Sequence, residues 1–225
     1  MLIASLSLPE QGVLTLAALI LLSSFLLLAQ VRLDSLINTF ALQGALIFLA
    51  TVFMAFISGK YHLLISAALT LFLKVFFIPG QLRLLVVRLN IRREVEVIGN
   101  PMLVMLFAAG LVLFSYYVAL PIRELSLLST RNTITISLAV VLIGMLMVIS
   151  RRKAVAQVIG FMSMENGLFF AAVVSTHGMP MVVELGIAFD VLVAVILFGV
   201  FFFHIRTEIG SLDTDRLNHL TEVDR

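Results

Sequence analysis

Long apolar runs joined by short polar links make up most of the chain. A helix that crosses a bilayer needs ~20 mostly apolar residues. About seven stretches meet that measure, roughly 12–30, 36–58, 62–80, 102–121, 132–150, 154–175 and 181–204. The connection near 81–101 and the tail 205–225 are the only extended polar segments. The pattern predicts an all-α fold: a polytopic membrane helix bundle of about seven transmembrane helices, with little chain left for soluble domains.

Composition agrees with this picture. The chain has 225 residues, 61% hydrophobic and 12% charged, with a mean hydropathy of +1.16. Soluble domains sit nearer ~45–50% apolar and ~25% charged. A formal net charge of +2 gives no reason to expect a nucleic acid partner; the lipid bilayer is the expected surrounding. There is no cysteine, which excludes disulfides, thiolate metal sites and Cys-ligated iron–sulfur clusters. The four histidines, His62, His177, His204 and His219, have no ligand spacing. No cofactor, metal site or catalytic centre is therefore expected in this chain, and any redox chemistry belongs to another one. The start lacks a basic region and a small-residue cleavage site, so the first apolar stretch is expected to stay as a helix.

Lysine and arginine fall unevenly between the two sides. One side receives Arg32, then Arg83, Arg88, Arg92 and Arg93, then Arg151, Arg152 and Lys153, then Arg206, Arg216 and Arg225. The other receives only Lys60, Arg123 and Arg131. Cytoplasmic loops carry the excess of basic residues. The N-terminus is thus expected outside and the C-terminus in the cytoplasm. The Arg83 to Arg93 cluster has two readings, a topology signal at an anionic leaflet and a docking surface for a cytoplasmic partner. The tail carries Leu212, Leu217 and Leu220 behind Ser211 and Asp213, either of which suits a helix cap. It reads as a docking segment.

Several polar residues sit inside the apolar runs. A charge at the bilayer centre costs at least ~2.5–3.5 kcal/mol on insertion scales, so it marks a buried partner or an ion path. Glu165 lies about ten residues into helix 6 from its cytoplasmic end, ~15 Å deep. Asp190 lies about nine residues into helix 7 from the outer end, ~14 Å deep. Both belong near the midplane, on antiparallel neighbours. Their alternatives are a proton-handling role and a structural hydrogen bond from a protonated acid. Lys74 is placed about six residues from the cytoplasmic end of helix 3. It either snorkels to the headgroups or pairs with a carboxylate, in this chain or a neighbouring subunit. Pro79 is expected to end or bend that helix. Glu184, one turn inside helix 7, is either a dipole-favoured carboxylate or an outer port. Asn166, Gln43 and Asn38 are expected to bridge helices, and Gly167 and Gly186 to admit a close neighbour. Gln43-Gly44 followed by Lys74, and Asn166-Gly167 followed by Glu184 and Asp190, hint at a parallel repeat.

These residues carry a resemblance. Met164-Glu165-Asn166-Gly167, Val183-Glu184-Leu185-Gly186-Ile187-Ala188-Phe189-Asp190, Gly210-Ser211-Leu212-Asp213 and Lys74-Val75-Phe76-Phe77-Ile78-Pro79 resemble the hydrogenase-4 component E family. That family belongs to formate hydrogenlyase and related group 4 membrane-bound [NiFe]-hydrogenase or complex I-like assemblies. The last three helices look like the K subunit of complex I and the C subunit of Mrp antiporters. The resemblance implies an N-terminal part, 1–150, with helices 1–5 and a cytoplasmic loop 81–101. A K-like part follows at 151–204, a unit beginning with helix 5 at about 131, and then the tail. In the K subunit a buried Glu on each of the last two helices belongs to a proton-conducting axis. Aligning Ile159-Gly160 on that subunit's Ile-Gly-Leu-Glu puts Met162 at its first Glu, with Glu165 one turn later and Asp190 near the second. The implied function is a membrane-arm subunit of an energy-converting oxidoreductase complex in the cytoplasmic (inner) membrane of a prokaryote. Its proton path would run through Glu165, Asp190, Lys74, Glu184 and Asn166. Its partners would be antiporter-like membrane subunits and the membrane anchor of a redox module. The alternatives are a subunit of a stand-alone cation/proton antiporter and a non-conducting scaffold.

Overall fold

A computed structural model describes residues 8–59, 61–88, 95, 98–120, 128–175, 186, 188–196 and 199. The described residues are helical apart from turns, bends and short irregular links at 30–31, 95, 98–100 and 152–153, with single bridge residues at Arg32 and Arg151. In chain order come α1 (Leu8–Ala29), α2 (Leu33–Ser58), α3 (His62–Thr70), a π-helical segment (Leu71–Phe77), α4 (Ile78–Arg88), α5 (Pro101–Val118), α6 (Leu128–Ser150) and α7 (Ala154–Ser175). A further helical stretch covers 188–196. Among the described residues six spans are long and apolar enough to cross a membrane. The protein is therefore an all-α, multi-pass membrane bundle. The seventh expected span, 181–204, is described only at 186, 188–196 and 199, and all of these are helical.

Local signals end the helices. Gly59 follows α2 in the left-handed region at φ 66°, where a residue without Cβ carries no steric penalty. Asn100 caps α5 by accepting the Met102 N–H at 2.9 Å, with Pro101 as the first helical residue. Proline suits that position because its missing N–H has no intrahelical acceptor there.

Of the two expectations for Pro79, an end to the helix is not what the structure shows. A proline inside a helix lacks an N–H and crowds the carbonyl four residues earlier. Here the preceding turn is widened: Leu71–Phe77 is π-helical, and Ile78 N–H donates to Leu73 O, five residues back. The wider turn absorbs the proline, and the helix continues to Arg88. Pro79 therefore does not end helix 3, and 81–88 is helix, not part of the polar loop. The span is Leu63–Val87, so Lys74 stands eleven residues from one end and thirteen from the other, at mid-depth and not near the cytoplasmic headgroups.

In lipid, helices gain little from the hydrophobic effect, so close packing of small residues holds them together. The tightest pair is α6 with α7. A Cβ on Gly144 would stand 2.6 Å from Met164 N, and one on Gly160 would stand 3.0 Å from Val148 N. The two backbones are already in contact there. Around this pair α1 packs on α2 and α6, and α2 packs on α7 and on the π-containing span. α5 lies at the edge, with only Ala108 and Ser115 buried.

Two apolar layers result. One, toward the Arg-rich end, includes Leu33, Phe40, Leu82, Met147 and Ile159. The other includes Ala17, Ile47, Met54, Val140 and Phe170. The connection after α4 is laced across the Arg-rich end: Val95 N–H donates to Val31 O and Ile98 N–H to Ser150 O, each at 2.7 Å. Between the two layers, at mid-height, lie Ser24, Gln43, Lys74, Glu165 and Asn166.

Candidate functional site

The π segment sets Lys74 against α2 at the one place where α2 offers no side chain. A Cβ on Gly44 would stand 2.9 Å from Lys74 Cβ and 3.3 Å from Lys74 O. From there the side chain runs inward. Lys74 Nζ donates to Glu165 Oε2 in a short ion pair and to Asn166 Oδ1 at 2.6 Å. Asp190 Oδ1 lies 3.3 Å from the same nitrogen, an ion pair outside hydrogen-bonding geometry. Nζ also stands 5.3 Å from the centroid of the Phe169 ring, within range of a cation–π contact. Lys74, Asp190 and Asn166 are fully buried and Glu165 is 7% exposed. The snorkelling reading of Lys74 is corrected: its ammonium points to the carboxylates, with none of its surface exposed.

Glu165 lies eleven residues into the span Ala154–Ser175, at the depth of Lys74. The cluster thus joins one ammonium and two carboxylates from three separate stretches of chain. With all three ionised its formal charge is −1. Burying an ion costs several kcal/mol, and good pair geometry with further hydrogen bonds is what offsets it. The offset is incomplete. Glu165 Oε1 and both oxygens of Asp190 are buried with no hydrogen-bond partner among the described residues.

A hydrogen-bonded arm leads away from Lys74. Asn166 Nδ2 donates to Gln43 Oε1 at 3.0 Å, Gln43 Nε2 to Ser24 Oγ at 2.9 Å, and Ser24 Oγ to Ile20 O at 3.1 Å. Lysine sets its direction. An ammonium has only donors, so Asn166 must turn its oxygen to Lys74 and its NH2 to Gln43. Gln43 must then turn its own NH2 to Ser24. Every donor points toward α1, and the arm closes on a backbone carbonyl.

Both pairs of positions noted in the hinted repeat meet here, Gln43 with Asn166 and Lys74 with Asp190. Asn38 bridges helices as expected, accepting from Arg83 on α4. Gly167 and Gly186 sit at close approaches: added Cβ atoms would stand 3.0 Å from Ser137 O and 2.7 Å from the Phe169 ring. Glu184 lies outside the described residues, as do Arg92, Arg93 and the tail 205–225. Among the described residues no group of three His, Cys, Asp or Glu side chains could hold a metal ion.

Sequence reasoning missed two partners. Ser24 ends the polar arm, and the Ser23-Ser24 pair in an apolar helix was its only signal. Arg151 was counted among the basic residues of a loop, yet it is 1% exposed. Its guanidinium donates to Leu28 O in the last turn of α1, where a cation meets the negative end of the helix dipole. Burial pulls its pKa below the ordinary arginine value.

The chain is 30% identical over 204 residues to the uncharacterized protein Rv0085 of Mycobacterium tuberculosis, covering 90% of this chain and 93% of that one. The chain belongs to the family of that mycobacterial protein. It is also similar to hydrogenase-4 component E of Escherichia coli K12 and of Shigella flexneri. Each is 29% identical over 161 residues, covering 71% of this chain and 74% of the relative. No protein-family model and no solved structure matches the chain.

Proposed function

We propose that this chain is a membrane subunit of a complex I-like, energy-converting assembly of the hydrogenase-4 type, and that Lys74, Glu165 and Asp190 form one station of its proton path. Similarity to hydrogenase-4 component E supports the first half. One observation carries the second: a fully buried ammonium at mid-span, held by two carboxylates from two other stretches of chain. Two acids and one base leave an uncompensated negative charge in the middle of a bilayer, where charge is costly. One bound proton removes it. An approaching cation favours release of that proton and withdrawal of Lys74 favours its retention, because the balance of nearby charge sets which form is stable.

In this reading Asn166 and Gln43 hold Lys74 and do not carry protons. Primary amides do not release a proton at working pH, and the arm ends on Ile20 O. The Arg-rich end faces the cytoplasm, with the N-terminus outside and the C-terminus inside the cytoplasmic membrane of a prokaryote. Antiporter-like subunits and the membrane anchor of a redox module flank the chain, and the redox centres reside in those other chains. Glu184 is the outer port.

The test uses amides that keep size and hydrogen bonding while removing the titrating group. Glu165→Gln and Asp190→Asn are expected to lower protons moved per electron in reconstituted vesicles while the complex stays assembled. Wild-type coupling in an assembled double variant would leave the scaffold reading standing. Purification of the chain without antiporter-like partners would favour the stand-alone transporter.

A further inference from the structure

A cavity of about 250 Å³ lies beside the cluster, between α7 and the pair Gly186 and Phe189. Its walls are apolar and aromatic, including Phe161, Met164, Leu168, Phe169 and Phe189. Phe161 and Phe189 stand with ring centroids 5.3 Å apart. Glu165 is the one ionisable group among its lining residues. Lys74 occupies Oε2 of that carboxylate, while Oε1 is buried with no hydrogen-bond partner among the described residues. Gly186 packs close to this carboxylate: a Cβ there would stand 2.7 Å from the Phe169 ring and 3.4 Å from Oε1. Phe161 and Leu168 are 39% and 55% exposed, so the cavity borders the lipid-facing flank of α7.

We propose that this cavity binds a lipid-soluble organic monocation, an aryl-alkyl ammonium or guanidinium, whose N–H donates to Glu165 Oε1 while its apolar body lies against Phe161, Leu168 and Phe189. Charge complementarity selects this occupant. One positive charge brings the cluster from a formal −1 to neutrality, and a buried carboxylate oxygen gains the donor it lacks. Aromatic walls suit an organic cation through the ring quadrupole. They suit a hydrated inorganic ion poorly, because they offer nothing to replace its water. A lipid headgroup is excluded by depth, since Glu165 lies at the middle of its span. The proposal shares Glu165 with the function proposed above but does not need Glu165 to relay protons.

Cation and proton compensate the same charge, so they compete. Among the described residues, the charged groups facing Glu165 are Lys74 from the π segment and Asp190 from the stretch 188–196. α2 presents the neutral Gln43 to Asn166, and α6 presents no described charged side chain to the cluster.

The test is calorimetric titration of the membrane-extracted complex in lipid nanodiscs. The probe is 4-phenylbutylammonium, with 4-phenylbutanol as its neutral counterpart of similar shape. The ammonium is expected to bind one per chain and at least about ten-fold tighter than the alcohol. Its affinity should fall as pH is lowered, because protons compete for the same charge deficit. Glu165→Gln should erase the preference for the ammonium. Ala172→Phe fills the cavity and leaves the Lys74–Glu165 pair in place, and it should also abolish binding. If the Glu165→Gln complex does not assemble, Ala172→Phe and the pH series decide. Equal binding of ammonium and alcohol overturns the proposal, as does undiminished binding in an assembled Ala172→Phe complex. A complex that binds no cation yet loses coupling on Glu165→Gln overturns this proposal alone. One that binds the cation and couples normally without the carboxylate overturns only the proton-path reading.

Discussion

Lys74→Met keeps most of the buried stem and removes the ammonium, which makes it the sharpest probe of the cluster. The ammonium has three polar neighbours: Glu165 Oε2, Asn166 Oδ1 at 2.6 Å and Asp190 Oδ1 at 3.3 Å. Removing it orphans the Asn166 oxygen, at a cost of ~1–3 kcal/mol for a buried unsatisfied acceptor. It also leaves two carboxylates facing each other without a counter-charge. Removing one partner of a buried pair costs ~3–5 kcal/mol, most of it the penalty of the charge left behind. The single variant is therefore expected to lose roughly 3–5 kcal/mol in total, because the two effects share the same atom and do not add fully. Adding Glu165→Gln removes one stranded carboxylate. The double variant should be less destabilised than the two single losses combined, by about 2 kcal/mol or more. Reversible unfolding of the purified complex in bicelles, followed through a double-mutant cycle, measures that difference. Losses that add within ~0.5 kcal/mol would mean that the two residues are not energetically coupled, and the cluster argument would fail with them.

Three further outcomes follow from particular contacts. Gly144→Leu puts side-chain atoms where Met164 N already stands 2.6 Å from a Cβ position, so the complex should fail to assemble; Gly110→Leu, with nothing within 4 Å, should assemble normally in the same gel assay. Gln43→Leu leaves Asn166 Nδ2 without its acceptor and takes one donor from Ser24 Oγ, which keeps its bond to Ile20 O, and should cost ~1–3 kcal/mol in the unfolding assay. Because the arm is a holding device, the protons moved per electron should stay at the wild-type value, and a drop would put Gln43 on the path. The chain has no cysteine and Arg152 is exposed, so Arg152→Cys offers a single label site. An impermeant maleimide should react from the cytoplasmic side of inverted vesicles and not from outside intact cells; the reverse would invert the proposed orientation.

The amino-acid sequence alone determined the class of this protein and the residues that need a buried partner. Apolar runs of spanning length have no soluble alternative, because an unpaired backbone in lipid is intolerable and only helices or closed barrels satisfy it. Glu165, Asp190 and Lys74 stood out for a related reason: an ionisable group in such a run is too costly to be incidental. Depth and pairing needed the tertiary structure. Pro79 read locally as a stop or a bend, and the stop is avoided because its clash is relieved by the π-helical turn before it. That turn carries the helix to Arg88 and moves Lys74 to mid-span. The pairing of Lys74 with Glu165 bridges 91 positions and depends on how closely helices approach. Gly44 against Lys74, and Gly144 and Gly160 between α6 and α7, set that approach. The same holds for Ser24 and Arg151, a serine and an arginine that look ordinary in sequence. One closes a polar arm and the other caps a helix only because packing brought their partners within reach. A residue's cost in lipid is a property of that residue and can be read one position at a time. Its compensation is a property of neighbours remote in the chain, which only the packed bundle brings together.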